Sequence, residues 1–225
     1  MSFHKATVVS LTFLVLSFGS AMVARATPVT IVAADTGWYQ EDGHHSFTNY
    51  IASTGGLAQN NYFTFSLSGV SGTITGATIS IFNPVNGFFG SPGMYTLYDV
   101  VTPPSILIAN NSAAVGITIY NDLGSGTVFG STNVSSADNG TVITISLNAA
   151  AIAALNATNG GVFAIGGAFS APSGSVVFGF TGFDARNQLA LQVSDVPEPS
   201  TLVLFCTGLV GLASRLRKRK SNFQR

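Results

Sequence analysis

Residues 61–67 read NYFTFSL, with Phe63, Phe65 and Leu67 at every second position and polar Thr64 and Ser66 between them. Period-two alternation sends successive side chains to opposite faces of an extended strand, so this stretch predicts a half-buried β-strand. The same rule holds in ATISIF (77–82), through Ala77, Ile79 and Ile81, and in VITISL (142–147), through Ile143, Ile145 and Leu147. Further runs of strand-forming residues lie at 29–33, 94–100, 116–120, 126–131, 161–169, 176–180 and 189–193. Turn-forming clusters such as NPVNG, TPPS, SADNG and APSGS separate them, which brings the count to about ten strands. The one helical patch is NAAAIAALNATNGG (148–161), where Asn148 is placed to cap and the alanines to propagate. Antiparallel strands with one short helix need two sheets to bury their alternating faces. The expected fold is therefore all-β, an antiparallel β-sandwich of the jelly-roll kind, with a closed barrel as runner-up. Short, irregularly spaced strands without aromatic girdles disfavour an outer-membrane barrel.

Composition agrees. Of 225 residues only 8% are charged, far below the roughly 25% of ordinary soluble domains, while 46% are hydrophobic. With 25 Gly and 17 Phe against few Lys and Glu, there is little material for surface helices. The formal net charge of +0 hides a segregation. Between Thr27 and Val196 a single cation, Arg186, stands against eight carboxylates, a net of −7. Such a body cannot release counterions from many phosphates, which excludes nucleic-acid binding as its task. Cys206 is the only cysteine, so no intrachain disulfide can form.

The two ends carry the remaining cations. Residues 1–26 have Lys5, an apolar run from Val8 to Phe18, and the small-residue exit Ala24-Arg25-Ala26. This predicts a signal peptide cut after Ala26, with Ala24 and Ala26 filling the peptidase pockets. At the other end Pro197-Glu198-Pro199 precedes an uncharged run and then Arg215, Arg217, Lys218, Arg219 and Lys220. As a transmembrane helix, residues 200–216 span about 26 Å against a hydrocarbon core of about 30 Å, a shortfall that snorkelling of Arg215 and local thinning absorb. The basic stop cluster stays cytoplasmic, which places the body on the far side, as the signal peptide also requires.

A Pro-Glu-Pro tripeptide, an apolar segment and a terminal basic cluster, in that order, resemble the PEP-CTERM sorting signal of exported bacterial proteins over residues 196–225. The resemblance implies processing by an exosortase, a membrane-embedded peptidase or transpeptidase, with the substrate held transiently at the inner membrane and then delivered to the cell surface or outside. It also implies association with exopolysaccharide or biofilm matrix. The body, in YNDLGSGTVFGS and SLNAAAIAALNATNGGVFAIGGAF, is similar to exported bacterial β domains that share this tail, a resemblance that brings no activity with it.

Within the body (27–195) chemistry is sparse. His44 and His45 lie in DTGWYQEDGHH beside Asp35, Glu41 and Asp42, a set that suits a metal by type, yet neighbours on a strand point to opposite faces. No nucleophile elbow, zinc-protease helix or phosphate loop occurs. No cofactor and no catalytic residue are expected. Trp38 and Tyr39 are the candidate sugar-stacking rings, with Phe88, Phe89 and Tyr120 also near turns. The expectation is a non-catalytic exported protein, with a carbohydrate-binding module as the alternative and a glycan-acting enzyme using paired carboxylates as the third.

Overall fold

The computed structural model describes residues 26–194, apart from 159, 180 and 181, together with residue 209. Its elements are β1 (Ala26–Val32), β2 (Asp35–Gln40), β3 (His45–Ser46), β4 (Ala52–Ser53), β5 (Gln59–Ser66), β6 (Thr73–Phe82), β7 (Gly93–Asp99), α1 (Pro104–Leu107), α2 (Ala113–Leu123), β8 (Val128–Val134), β9 (Val142–Ser146), α3 (Ala149–Thr158), β10 (Val162–Ser170), β11 (Val176–Val177) and β12 (Gln188–Ser194). The predicted transmembrane segment 200–216, the sorting tripeptide and the basic cluster lie outside the described residues. Among the described residues no helix is long and apolar enough to cross a membrane.

The frame is a jelly roll. Take β1, β5, β6, β7, β8, β9, β10 and β12 in chain order. The first pairs with the last, the second with the seventh, the third with the sixth and the fourth with the fifth, all antiparallel. Pairing of β12 with β6 and of β10 with β7 then closes two sheets. One runs β1-β12-β6-β9; the other runs β5-β10-β7-β8 and is widened past β5 by β2, β3, β4 and β11. Nested pairing of this kind is the double Greek key.

The sheets face each other across one core. Phe63, Phe65, Leu97, Phe163 and Ile165 from the larger sheet meet Ile79, Ile81, Ile145, Leu189 and Leu191 from the smaller, nearly all without exposed surface. The rings of Phe129 and Phe163 stack at 6.1 Å. At one end α3 inserts Ala151 and Leu155. Its start is fixed as expected, since the Asn148 Oδ1 accepts from the N–H of Ala151, three residues on.

The helical content exceeds the single helix expected. Residues 116–120 (GITIY), predicted as a strand, belong to α2, and α1 precedes it. Ile117 and Ile119 do alternate, but the buried positions are Gly116, Ile119 and Leu123, the i, i+3, i+7 set of one helix face. Gly116 permits the docking: a Cβ there would lie 2.1 Å from the carbonyl oxygen of Gly43, in the loop after β2. Because α1 and α2 cover the outer face of the larger sheet, β5 is buried on both sides rather than on one, from Asn60 through Phe65. A second, smaller cluster forms there from Tyr39, Tyr62, Leu107, Ile119, Leu123 and Ala164. The strand predicted at 176–180 is short. After Val177, Phe178 turns to φ 59°, a strained conformation for an aromatic residue, held by the bond its N–H donates to Asn83 Oδ1 at 3.1 Å and by edge packing on Tyr95 at 5.0 Å.

Candidate functional site

Two places in the fold bear on function: the corner where the chain enters and leaves, and a groove on the outer face. At the corner, β1 begins with Ala26 directly opposite Ser194, the last residue of β12. The expected signal-peptide cut after Ala26 thus falls at the first position of the outermost strand, and β1 keeps Thr27 to Val32 for pairing once the leader is gone. Two residues, Asp195 and Val196, separate Ser194 from Pro197, three Cα–Cα steps or at most about 10–11 Å of extended chain. Every strand among the described residues lies upstream of that point. Removal of the tail at or beyond the Pro-Glu-Pro tripeptide therefore takes nothing from either sheet.

The outer face is built on β2, which pairs with β5 from Asp35↔Thr64 to Gln40↔Gln59. Gly37 sits opposite Tyr62, and a Cβ at 37 would lie 2.7 Å from the Tyr62 ring and hydroxyl, so glycine lets the ring lie against the strand. Tyr62 stands 6.2 Å from Tyr39, Tyr39 stacks on His45 at 5.0 Å, and His45 meets Phe47 at 4.8 Å, a row of four rings. Burial raises the Tyr39 phenol above its usual range, against the opposing hydrogen bond from Asn111. Burial first, then the neighbouring Tyr39 and Asp35, raises Tyr62 further. Both hydroxyls stay protonated at neutral pH. Tyr39 donates to the Leu107 carbonyl at 2.8 Å and accepts from Asn111 at 2.8 Å, whereas the buried Tyr62 hydroxyl has no hydrogen-bond partner among the described residues. Beside it opens a groove of about 270 Å³ lined by Ala34, Asp35, Thr36, Phe47, Tyr62, Ile108 and Phe183.

Trp38 and Tyr39 do not present stacking faces. Tyr39 has no exposed surface and Trp38 only 8%. The indole N–H of Trp38 donates to Asn49 Oδ1, and its ring lies 5.8 Å from His44. Cover by α1 and α2, invisible in the local pattern, buries Tyr39. Phe88 is buried too, while Phe89 is 68% and Phe183 59% exposed. His44 lies just before β3 with its ring near Trp38, while His45, in β3, stacks on Tyr39. They line an open groove of about 450 Å³ with Asp42, Gly43, Asn110, Asn111 and Ala113. Among the described residues no group of three or more His, Cys, Asp or Glu is placed to hold a metal ion. Of the sorting and processing residues, Ala26 is in β1; Ala24, Pro197, Glu198, Pro199, Arg215, Arg217, Lys218, Arg219 and Lys220 lie outside the described residues.

Among the described residues the carboxylates, Asp35 apart, accept hydrogen bonds from backbone N–H groups. Glu41 accepts from the N–H of Leu57, Asp42 from that of His44, Asp99 from that of Thr127 and Asp138 from that of Ser135. Asp122 accepts from the N–H groups of Val101 and Thr102. Asp184 accepts from the N–H of Arg186 and pairs with its guanidinium at 2.7 Å, and that guanidinium lies over the Phe82 ring. Asp35 takes a longer bond from the Thr64 hydroxyl at 3.3 Å.

The segment directly after β12 carries a recognised motif. Residues 195–219 match the PEP-CTERM protein-sorting motif. The motif begins at the residue after Ser194, so the sorting signal abuts the sandwich with no intervening domain. A PEP-CTERM tail marks an exported protein that is held at the membrane for sorting and processed by an exosortase. No curated protein matches the chain.

Proposed function

We propose that this chain is a non-catalytic jelly-roll protein which an exosortase delivers to the cell surface or the extracellular polysaccharide matrix, where the sandwich is the working part. The observation that carries this is the PEP-CTERM motif starting one residue beyond the last strand. Export is given by the motif; the destination is inferred from a body with a net of −7 and one ion-paired cation, a surface that stays soluble among hydrated polymers and repels an anionic membrane. The non-catalytic assignment is supported by the carboxylates of Asp99, Asp122 and Asp138, each tied to backbone N–H groups whose loops it fixes.

The test is a Pro197→Ala, Pro199→Ala double variant expressed in the native host. The chain is expected to accumulate at the inner membrane with its tail attached and to be depleted from the surface and medium. Unchanged tail removal and surface delivery would sink the sorting assignment. For the non-catalytic assignment, prolonged incubation with the host's matrix polysaccharide is expected to release no new reducing ends, and release of oligosaccharides would contradict it.

A further inference from the structure

The groove at Asp35, Tyr62, Phe47 and Phe183 has the make-up of a small binding site, and none of its residues is needed for sorting. Phe47 and Phe183, 41% and 59% exposed, offer apolar ring faces at its rim. Phe47 is braced from behind by His45, itself stacked on Tyr39, so its position costs little to hold on binding. Asp35 supplies a carboxylate acceptor whose Oδ2 has only the long Thr64 bond. Beneath lies the Tyr62 hydroxyl, fully buried and unpartnered among the described residues. An unmet buried hydroxyl costs about 1–3 kcal/mol, so it is a place where a ligand hydroxyl gains more than it would at an already satisfied site. The hydroxyl has no exposed surface as the groove stands, and contact with it needs a side chain of the lining to shift, a motion open to exposed side chains.

Apolar ring faces combined with a carboxylate and a phenol match one ligand chemistry well: a ring with C–H groups on one face and hydroxyl groups on its rim. The volume, about 270 Å³, is near the lower end of small-molecule sites at roughly 300–1,000 Å³, which fits one ring rather than a long segment. Charge narrows it further. Arg186 is the only Lys or Arg among the described residues and is paired with Asp184, so nothing offsets Asp35 against an acidic sugar. We propose that this groove binds a single neutral pyranose unit, stacked on Phe47 and Phe183 and hydrogen-bonded to Asp35 and the Tyr62 hydroxyl.

Saturation-transfer NMR on the full chain in a detergent without sugar headgroups reads this directly. Methyl β-glucopyranoside and methyl β-galactopyranoside are the neutral probes, methyl β-glucuronide the acidic one and phenol the flat apolar one. Transfer to the ring C–H protons of at least one neutral probe is expected, above that for glucuronide and phenol. Phe183→Ala and Tyr62→Phe should each weaken it roughly threefold to tenfold. Neither variant should melt lower than the parent by more than a degree or two, since one ring is exposed and the other change deletes an unpartnered hydroxyl. No transfer to any pyranoside, a stronger response from glucuronide or phenol, or an unchanged signal in either variant overturns the proposal.

Discussion

The two faces of β5 are made by one run of residues and obey different rules. Toward the smaller sheet it presents Phe63 and Phe65, which pack against apolar partners and need nothing but shape. Toward the helices it presents Asn60, Tyr62 and Thr64. Asn60 donates to the Tyr120 carbonyl, Thr64 holds Asp35, and Tyr62 lies between them with its hydroxyl unpartnered. The inner face is therefore sensitive to volume and the outer face to hydrogen bonding. A fold fixed from inside leaves the outer face free to carry a site whose polar groups are not all satisfied by protein.

The largest test of that difference is Phe63→Ala. Removing a ring with no exposed surface leaves a cavity in the inter-sheet core, and a loss of about 3–5 kcal/mol in urea unfolding is expected. Asn61→Ala should cost about 2–3 kcal/mol. Asn61 is the fully buried polar residue of β5 on the inner face; it donates to the Tyr50 carbonyl at 2.7 Å and accepts from the Tyr95 hydroxyl at 2.6 Å, both buried. On the outer face, Tyr39→Phe should cost about 1–2 kcal/mol because two hydrogen bonds go with the hydroxyl. Tyr62→Phe, one strand away, should cost nothing measurable. Equal losses for the two tyrosines would remove the distinction between a satisfied and an unsatisfied hydroxyl.

The smallest effect concerns pH. The Arg186 guanidinium, by its hydrogen bond first, holds Asp184 below its usual 3.8. A carboxyl lowered in the folded state adds stability above the unfolded value and loses it as pH falls through the lower folded value. Asp184→Asn should thus be slightly less stable than the parent at pH 5–7, about half a kcal/mol or less for an exposed pair, with the gap closing below about pH 4. A gap that widened on acidification would contradict the pairing.

Where period two dominates, the fold is legible from the chain. Every strand of the jelly-roll frame overlaps one of the runs expected to form a strand, three of them strictly alternating, and the Ala-rich patch forms α3. The failures are tertiary. Residues 116–120 alternate as a strand does, yet 116, 119 and 123 also share a helix face, and that face docks with Gly116 against the backbone of Gly43, a contact distant in sequence. β2 carries no period-two signal because DTGWYQ does not alternate, its residues from Thr36 to Tyr39 being buried on both sides, and β3 and β4, two residues each, are too short to show a period. Trp38 and Tyr39 looked like turn aromatics and are packed rings for the same reason. Phe183, by contrast, lies in a loop with no periodicity to flag it, so the groove it borders had no local signal. The sorting tail was readable without structure because its parts are recognised as a linear order of residues.

Intact mass spectrometry of the protein recovered from outside native cells tests the central claim most directly. The account predicts a chain starting at Thr27 and ending short of the basic cluster, with both trims made and the sandwich from β1 to β12 whole. A product carrying residues through Arg225, or a full-length chain confined to the cytoplasm, would contradict it.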